Sequence, residues 1–279
     1  MKFLKNNMTI ITAILIGVVA FLLGLPITYA FIIGALIYLI PSMMYTGGLK
    51  KAKNLLQEGQ FDQVVEKVNK TMKIPLLSRK YKHFMLVIKA DAYQRRGKFS
   101  ESLEAMEDIE VDALTDMLQA NFYSMRATNL IHVKEYEKAE ADIQEAKKAD
   151  GRVFLDFMNY YIQLMSGNEL SILDMIEDLS EEYMELRDYD FENMEEKDIL
   201  YRLRSIFLDG NTYVHVLKCY YLGKICEKLC KAENVVAIYN PIRNYQGKCY
   251  FKSYAGRYVK NNRVRVVKKE EELQSHISE

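Results

Sequence analysis

Between Met8 and Tyr45 the chain carries no charged residue. One straight helix over this run would be roughly 57 Å long at 1.5 Å per residue, nearly twice the roughly 30 Å hydrocarbon core of a bilayer. The run has to be interrupted, and "GLP" at 24–26 is the place: glycine tolerates a turn, and proline cannot continue the first helix but can start the next. Two membrane helices, about 8–25 and 27–45, are therefore expected, with Gly17, Gly24 and Gly34 allowing close approach. Two other readings compete. "TYA" before Phe31 resembles a weak signal-peptidase site, although "FIIGALIYLI" continues the apolar run past it, and a single tilted or interfacial helix is the other.

Lysines flank the run on both sides, Lys2 and Lys5 before it, Lys50, Lys51 and Lys53 after it. The positive-inside tendency is met at both flanks only if the chain crosses twice, which puts both termini and everything after residue 45 in the cytoplasm. No ionisable residue lies within the run, so it reads as an anchor rather than a transport path. Beyond residue 45 there remain 36 basic against 38 acidic residues, a balance that gives no general case for a nucleic-acid binder. Cys219, Cys226, Cys230 and Cys249 show no C-x-x-C pair and read as packed free thiols, with Cys226 and Cys230 on one helix face at i, i+4 as a weak metal or redox option.

The remainder repeats itself. "KADAYQRRGKFSESLEAMEDI" (89–109) places Ala90, Tyr93, Gly97, Phe99, Ser102, Met106 and Ile109 as a helix, a turn and a second helix. "RATNLIHVKEYEKAEADIQEA" (126–146) repeats this with Ala127, Leu130, Tyr136, Ala139, Ile143 and Ala146, and with Lys134 at the glycine position. "KAKNLLQEGQFDQVVEKVNKT" (51–71) does so with Ala52, Leu55, Gly59, Phe61, Val64 and Val68, and a looser unit at 160–179 turns at Gly167. Small residues let paired helices cross closely, and the aromatic after each turn fills the wedge between them. This pattern resembles the tetratricopeptide repeat, with departures at Lys89 and Arg126 and without its usual terminal proline.

The expected architecture is thus all-α: a two-helix membrane anchor at 1–45, a tetratricopeptide-like solenoid of antiparallel helix pairs at 46–260, and a polar tail at 261–279. After residue 180 the pattern drifts into a connector, two helices broken at "DGN" (209–211), and a further pair through "AENVVAIY" and "YFKSYAGRYV".

No P-loop, dinucleotide fingerprint, zinc-protease, nucleophile-elbow or EF-hand signature occurs, so an enzyme is not expected and no cofactor is implied. The resemblance implies a concave groove lined by the first helix of each pair. It assigns to that groove Lys53 and Gln57, then Asp91, Gln94 and Arg95, then Asn121, Ser124, Thr128 and His132, the last four forming one stripe on a helix face. The competing reading is an ordinary hydrated helix face. Residues 169–198 hold 13 acids against two bases, whereas 241–269 hold nine bases and no acid. Lys248, Lys252, Arg257 and Lys260 alternate there with aromatics, a pattern that suits an anionic lipid surface better than nucleic acid, or simply a final helix packing its rings inward. The expected function is a membrane-anchored cytoplasmic scaffold that binds a protein or peptide partner in the groove. The alternative is an accessory subunit of a membrane enzyme or transporter, acting through its membrane helices.

Overall fold

A left-handed residue stands at every helix turn that the sequence spacing locates. Gly59, Gly97 and Gly167 have φ of 72°, 83° and 89°, and Lys134, at 67°, is the one non-glycine with positive φ among the described residues. After each, the next amide reaches back five residues: Gln60 N to Leu55 O at 2.9 Å, Lys98 N to Tyr93 O at 2.9 Å, Glu135 N to Leu130 O at 2.9 Å and Asn168 N to Gln163 O at 3.1 Å. This is the Schellman closure, which satisfies helix-end carbonyls while reversing the chain. Gly24 (φ 82°) repeats it, with Leu25 N donating to Ala20 O at 3.2 Å, so "GLP" is the same turn once more.

Lys134 lacks the freedom of a glycine, and an L side chain in this conformation costs roughly 1–2 kcal/mol. Lys134→Gly is therefore expected to stabilise the protein by about 0.5–1 kcal/mol after the extra entropy of glycine is subtracted. A higher urea midpoint at unchanged m-value for the full chain in detergent is the expected readout, and a lower midpoint would show that the Lys134 side chain contributes more than its backbone costs.

The structure is a computed structural model that describes residues 8–74, 77, 79–149 and 153–262. These residues are all-α, without a strand, as expected. The helices are α1 (Met8–Leu22), α2 (Ile27–Gln57), α3 (Phe61–Met72), α4 (Arg79–Arg96), α5 (Phe99–Glu107), α6 (Asp116–His132), α7 (Tyr136–Ala149), α8 (Val153–Met165), α9 (Ile172–Glu182), α10 (Glu196–Phe207), α11 (Tyr213–Leu229), α12 (Ala232–Tyr239) and α13 (250–262). Two residues of the expected tail, 261 and 262, end α13, and the rest of it lies outside the described residues. The chain divides into two compact units, 1–125 and 126–279, with the border inside α6.

In the first unit, α1 and α2 pair as a hairpin. Ala13 and Ala20 are buried on α1, and a Cβ on Gly34 would come within 3.0 Å of the Ala13 carbonyl oxygen, so the seam is made of small residues. The outer faces are apolar and exposed, from Ile14 (60% exposed) to Met43 (70% exposed). The helix lengths differ from the sequence expectation. Helix α1 has 15 residues, roughly 22 Å, and α2 does not stop at 45 but runs unbroken through Lys50, Lys51 and Lys53 to Gln57. Among the described residues no helix is long and apolar enough to cross a membrane. The helix runs on through Gly47 and Gly48 although each costs about 1 kcal/mol against alanine, and packing offsets that: a Cβ on Gly48 would come within 2.6 Å of Thr71 Oγ1, so α3 lies close against this point and the second apolar arm becomes the first helix of the first repeat.

From α2 onward the first unit stacks in chain order, α2 on α3, α3 on α4 and α4 on α5. The small positions Ala52 and Ala90 are fully buried, with Val64 and Val68 beside the first. Ser102 Oγ donates to the Ala90 carbonyl at 2.8 Å, tying the second helix of that pair to the first.

The second unit opens with the end of α6 and with α7, joined by Arg126, whose guanidinium donates twice to Asp142 at 2.6 Å. Ala127, Ala139 and Ile143 are fully buried at the repeated positions. Chain-order pairing then breaks: α11 packs on both α8 and α12, and α10 packs on α12. Ten residues of α11 are buried, on more than one face, so a single sequential neighbour could not cover it.

Candidate functional site

The first-helix positions of the first unit are placed on α2, α4 and α6. Lys53 is exposed with its Nζ 5.4 Å from the Phe84 ring centroid, and Gln57 is exposed at the end of the same helix. Asp91 and Arg95 form an i, i+4 ion pair at 2.7 Å, with side chains 22% and 13% exposed. Gln94 is buried, and its Nε2 donates to the Met125 carbonyl at 3.0 Å. That bond, with Leu86 and Ala90 packed in one cluster with Phe122 and Met125, sets α4 against α6. Asn121 and Ser124 on α6 are half-buried, and Ser124 Oγ donates to the Asn121 carbonyl at 3.2 Å. The structure thus brings Asp91, Arg95, Asn121 and Ser124 onto two packed helices, while Gln94 is spent on joining them.

Thr128 and His132 belong to the second unit and are packed inside it. Thr128 is buried with its Oγ1 3.9 Å from Met158 Sδ. His132 is ringed by Tyr220, Tyr250 and Phe251, with centroids 5.8, 5.5 and 5.7 Å away. Burial, helped by the Lys224 charge, pushes its pKa down to about 3, so the imidazole is neutral at physiological pH.

The basic segment packs its rings and leaves most of its charges outside. Phe251 is fully buried on α13, and Tyr254 stacks edge-on against Tyr220 at 5.4 Å. Lys248, Arg257 and Lys260 are exposed, and Lys252 is half-buried with its Nζ donating to the Tyr245 carbonyl. Tyr250, Phe251 and Tyr254 are engaged with one another and with α11, so this face offers charge rather than a row of open stacking platforms.

Sequence reasoning missed a polar cluster of the second unit that centres on Glu227. Its carboxylate accepts from Lys224 Nζ at 2.7 Å, from the Tyr239 hydroxyl at 2.6 Å, and from the Tyr254 hydroxyl at 2.9 and 3.0 Å. Lys224 Nζ also donates to Tyr254 Oη at 2.8 Å and lies 4.8 Å from that ring's centroid. Burial opposes the Lys224 charge, and the hydrogen bonds to Glu227 and Tyr254 outweigh it, holding the ammonium above its ordinary range. Burial and then the Glu227 charge raise Tyr239 in turn. Each polar atom here has a partner, an arrangement that fixes α11, α12 and α13 to one another. The only signal for it was Lys224 and Glu227 at i, i+3, a spacing shared with many solvated pairs.

The four cysteines are free thiols, with Cys219, Cys226 and Cys249 buried. Burial pushes Cys219 up to about 12, and a hydrogen bond with Cys230, then burial, raises Cys226, so both stay protonated and unreactive. Among the described residues no three His, Cys, Asp or Glu side chains are placed to hold a metal ion.

No protein-family model matches the chain, and no curated protein or solved structure is significantly similar to it. The class therefore rests on the fold: an all-α protein of packed helix pairs, compatible with a helical-repeat fold.

Proposed function

We propose that this chain is a non-enzymatic scaffold held at a membrane by its α1–α2 hairpin, with both termini and the helix stack on the cytoplasmic side, and that it binds a protein or peptide partner. The observation that carries the membrane part is the hairpin's surface. Large apolar side chains are exposed along it from Ile14 to Met44, whereas among the other described residues only Tyr81, Met117, Leu173, Met184 and Tyr201 are so exposed. An uncovered apolar surface of that extent in water favours association, and a bilayer covers it at a gain of roughly 25 cal/mol per Å². The lysines flanking the uncharged run support the cytoplasmic orientation.

The partner is assigned to the polar row on α4 and α6, where Arg95 and Asn121 stand on helices packed by a buried cluster. A guanidinium oriented by Asp91 on α4, with an amide on the helix packed against it, suits a peptide's carboxylate and backbone groups. A partner crosslinked to the intact protein in membranes is expected to be lost or weakened roughly tenfold when Arg95→Ala and Asn121→Ala are combined, about the loss of one charge-assisted hydrogen bond. Undiminished capture would remove the row from the proposal.

A further inference from the structure

The first unit contains an apolar slot of about 320 Å³ lined by Tyr45 and Leu49 of α2, Lys80, Tyr81 and Phe84 of α4, and the 113–118 segment that leads into α6. Its volume is at the small end of ligand pockets, suited to one flexible chain rather than a bulky cofactor. Tyr45 and Tyr81 stack on each other at 4.0 Å and 17° between planes, forming one aromatic wall of the slot.

Two features say what enters. The slot continues the hairpin's surface, because Tyr45 and Leu49 follow directly on α2 from Met43 and Met44, which are 70% and 56% exposed at the end of the uncharged run. Its one charged lining residue is a cation, on α4, while Asp112 and Asp116 flank the lining positions of the 113–118 segment in sequence. Lys80 lines it, and the ammonium of Lys53 lies over the Phe84 ring that forms its wall; both lysines are exposed. Residues 46–85 carry nine basic against three acidic residues, whereas 107–116 carry five acidic and none basic, so the basic side of the slot is the one formed by α2 and α4. An apolar slot beside a basic rim, where a bilayer-embedded hairpin leaves the membrane, matches a lipid with an anionic headgroup.

We propose that the slot binds an anionic phospholipid, with an acyl chain lying against the Tyr45–Tyr81 stack and Phe84 and the phosphate at Lys53 and Lys80. This rests on the membrane reading above. The bound lipid would fill the slot and couple the first repeat to the leaflet.

The test is photocrosslinking of the full chain in lipid nanodiscs doped with diazirine-bearing phosphatidylglycerol or phosphatidylcholine, with adducts mapped by peptide mass spectrometry. Adducts are expected on 45–49 and on 81–84 or 114–118, with phosphatidylglycerol favoured by about fivefold or more. Lys53→Glu with Lys80→Glu is expected to bring that preference to about one, and Leu118→Trp to reduce slot adducts while sparing those on the hairpin. Adducts on the hairpin with none on 81–84 or 114–118 would overturn the proposal and leave the anchor standing. So would slot peptides that crosslink to a second copy of the chain, or equal labelling by both lipids that the lysine variants do not change. No adduct on the hairpin either would overturn the anchor and the lipid site together.

Discussion

Gly223→Ala is expected to destabilise the C-terminal unit by about 2–3 kcal/mol, although alanine is the better helix former by about 1 kcal/mol. A Cβ at this position in α11 would come within 2.3 Å of Tyr239 Cε1 and 2.4 Å of its Cζ. The ring cannot step aside cheaply. Tyr239 is buried, and its hydroxyl is held by Glu227 at 2.6 Å. Moving it breaks into the Glu227 cluster and leaves buried polar atoms without their partners. Gly256 on α13 gives the contrast, because a Cβ there meets nothing within 4 Å. Gly256→Ala is expected to raise stability by about 0.5–1 kcal/mol. Urea denaturation of the full chain in detergent, followed by circular dichroism, checks the pair. Equal effects of the two substitutions would contradict the packing of α11 on α12.

The second large effect is on pH dependence. His132 is held neutral by burial, with its pKa at about 3 against the ordinary 6.5. The unfolded chain therefore takes up a proton below pH 6.5 that the folded chain refuses until about pH 3. The contribution is complete above pH 7 and is lost as pH falls through that window, at about 1.4 kcal/mol per unit. Between pH 7.5 and 5 the wild type is expected to lose about 2 kcal/mol from this group, and His132→Phe to lose that slope. His83 and His215 are also lowered, chiefly by burial, and supply a residual slope in both proteins. An identical fall in wild type and variant would mean that His132 is hydrated.

The turns were legible because their chemistry is local. Gly59, Gly97 and Gly167 announce a left-handed residue by type, and Lys134 was placed by register with its neighbours although its side chain argues against that conformation. Burial at Ala52, Ala90 and Ala127 followed from the same register. What escaped depends on which helix lies opposite. Gln94 and Thr128 are polar and sit on the expected face, yet a crossing helix covers the one and the second unit's interior the other, so residue type alone gave them too much surface. Glu227 draws partners from 12 and 27 residues downstream, beyond any window in which periodicity is read. The break in chain-order packing at α8 and α11 escaped for the same reason. The fusion of the second apolar arm with the first repeat helix was hidden differently. A change from apolar to basic composition at 45–50 looks like a domain boundary, but it does not interrupt a helix.

The central claim is that the hairpin inserts in a bilayer and keeps the helix stack inside. Single cysteines at Thr28 and at Gly47, introduced after the four native thiols are replaced by serine or alanine, test it with a membrane-impermeant maleimide on intact cells. Labelling at 28 and protection at 47 until the cells are opened are expected. Protection at both would show that the turn does not reach the far side, and labelling at 47 alone would put the stack outside and contradict the account.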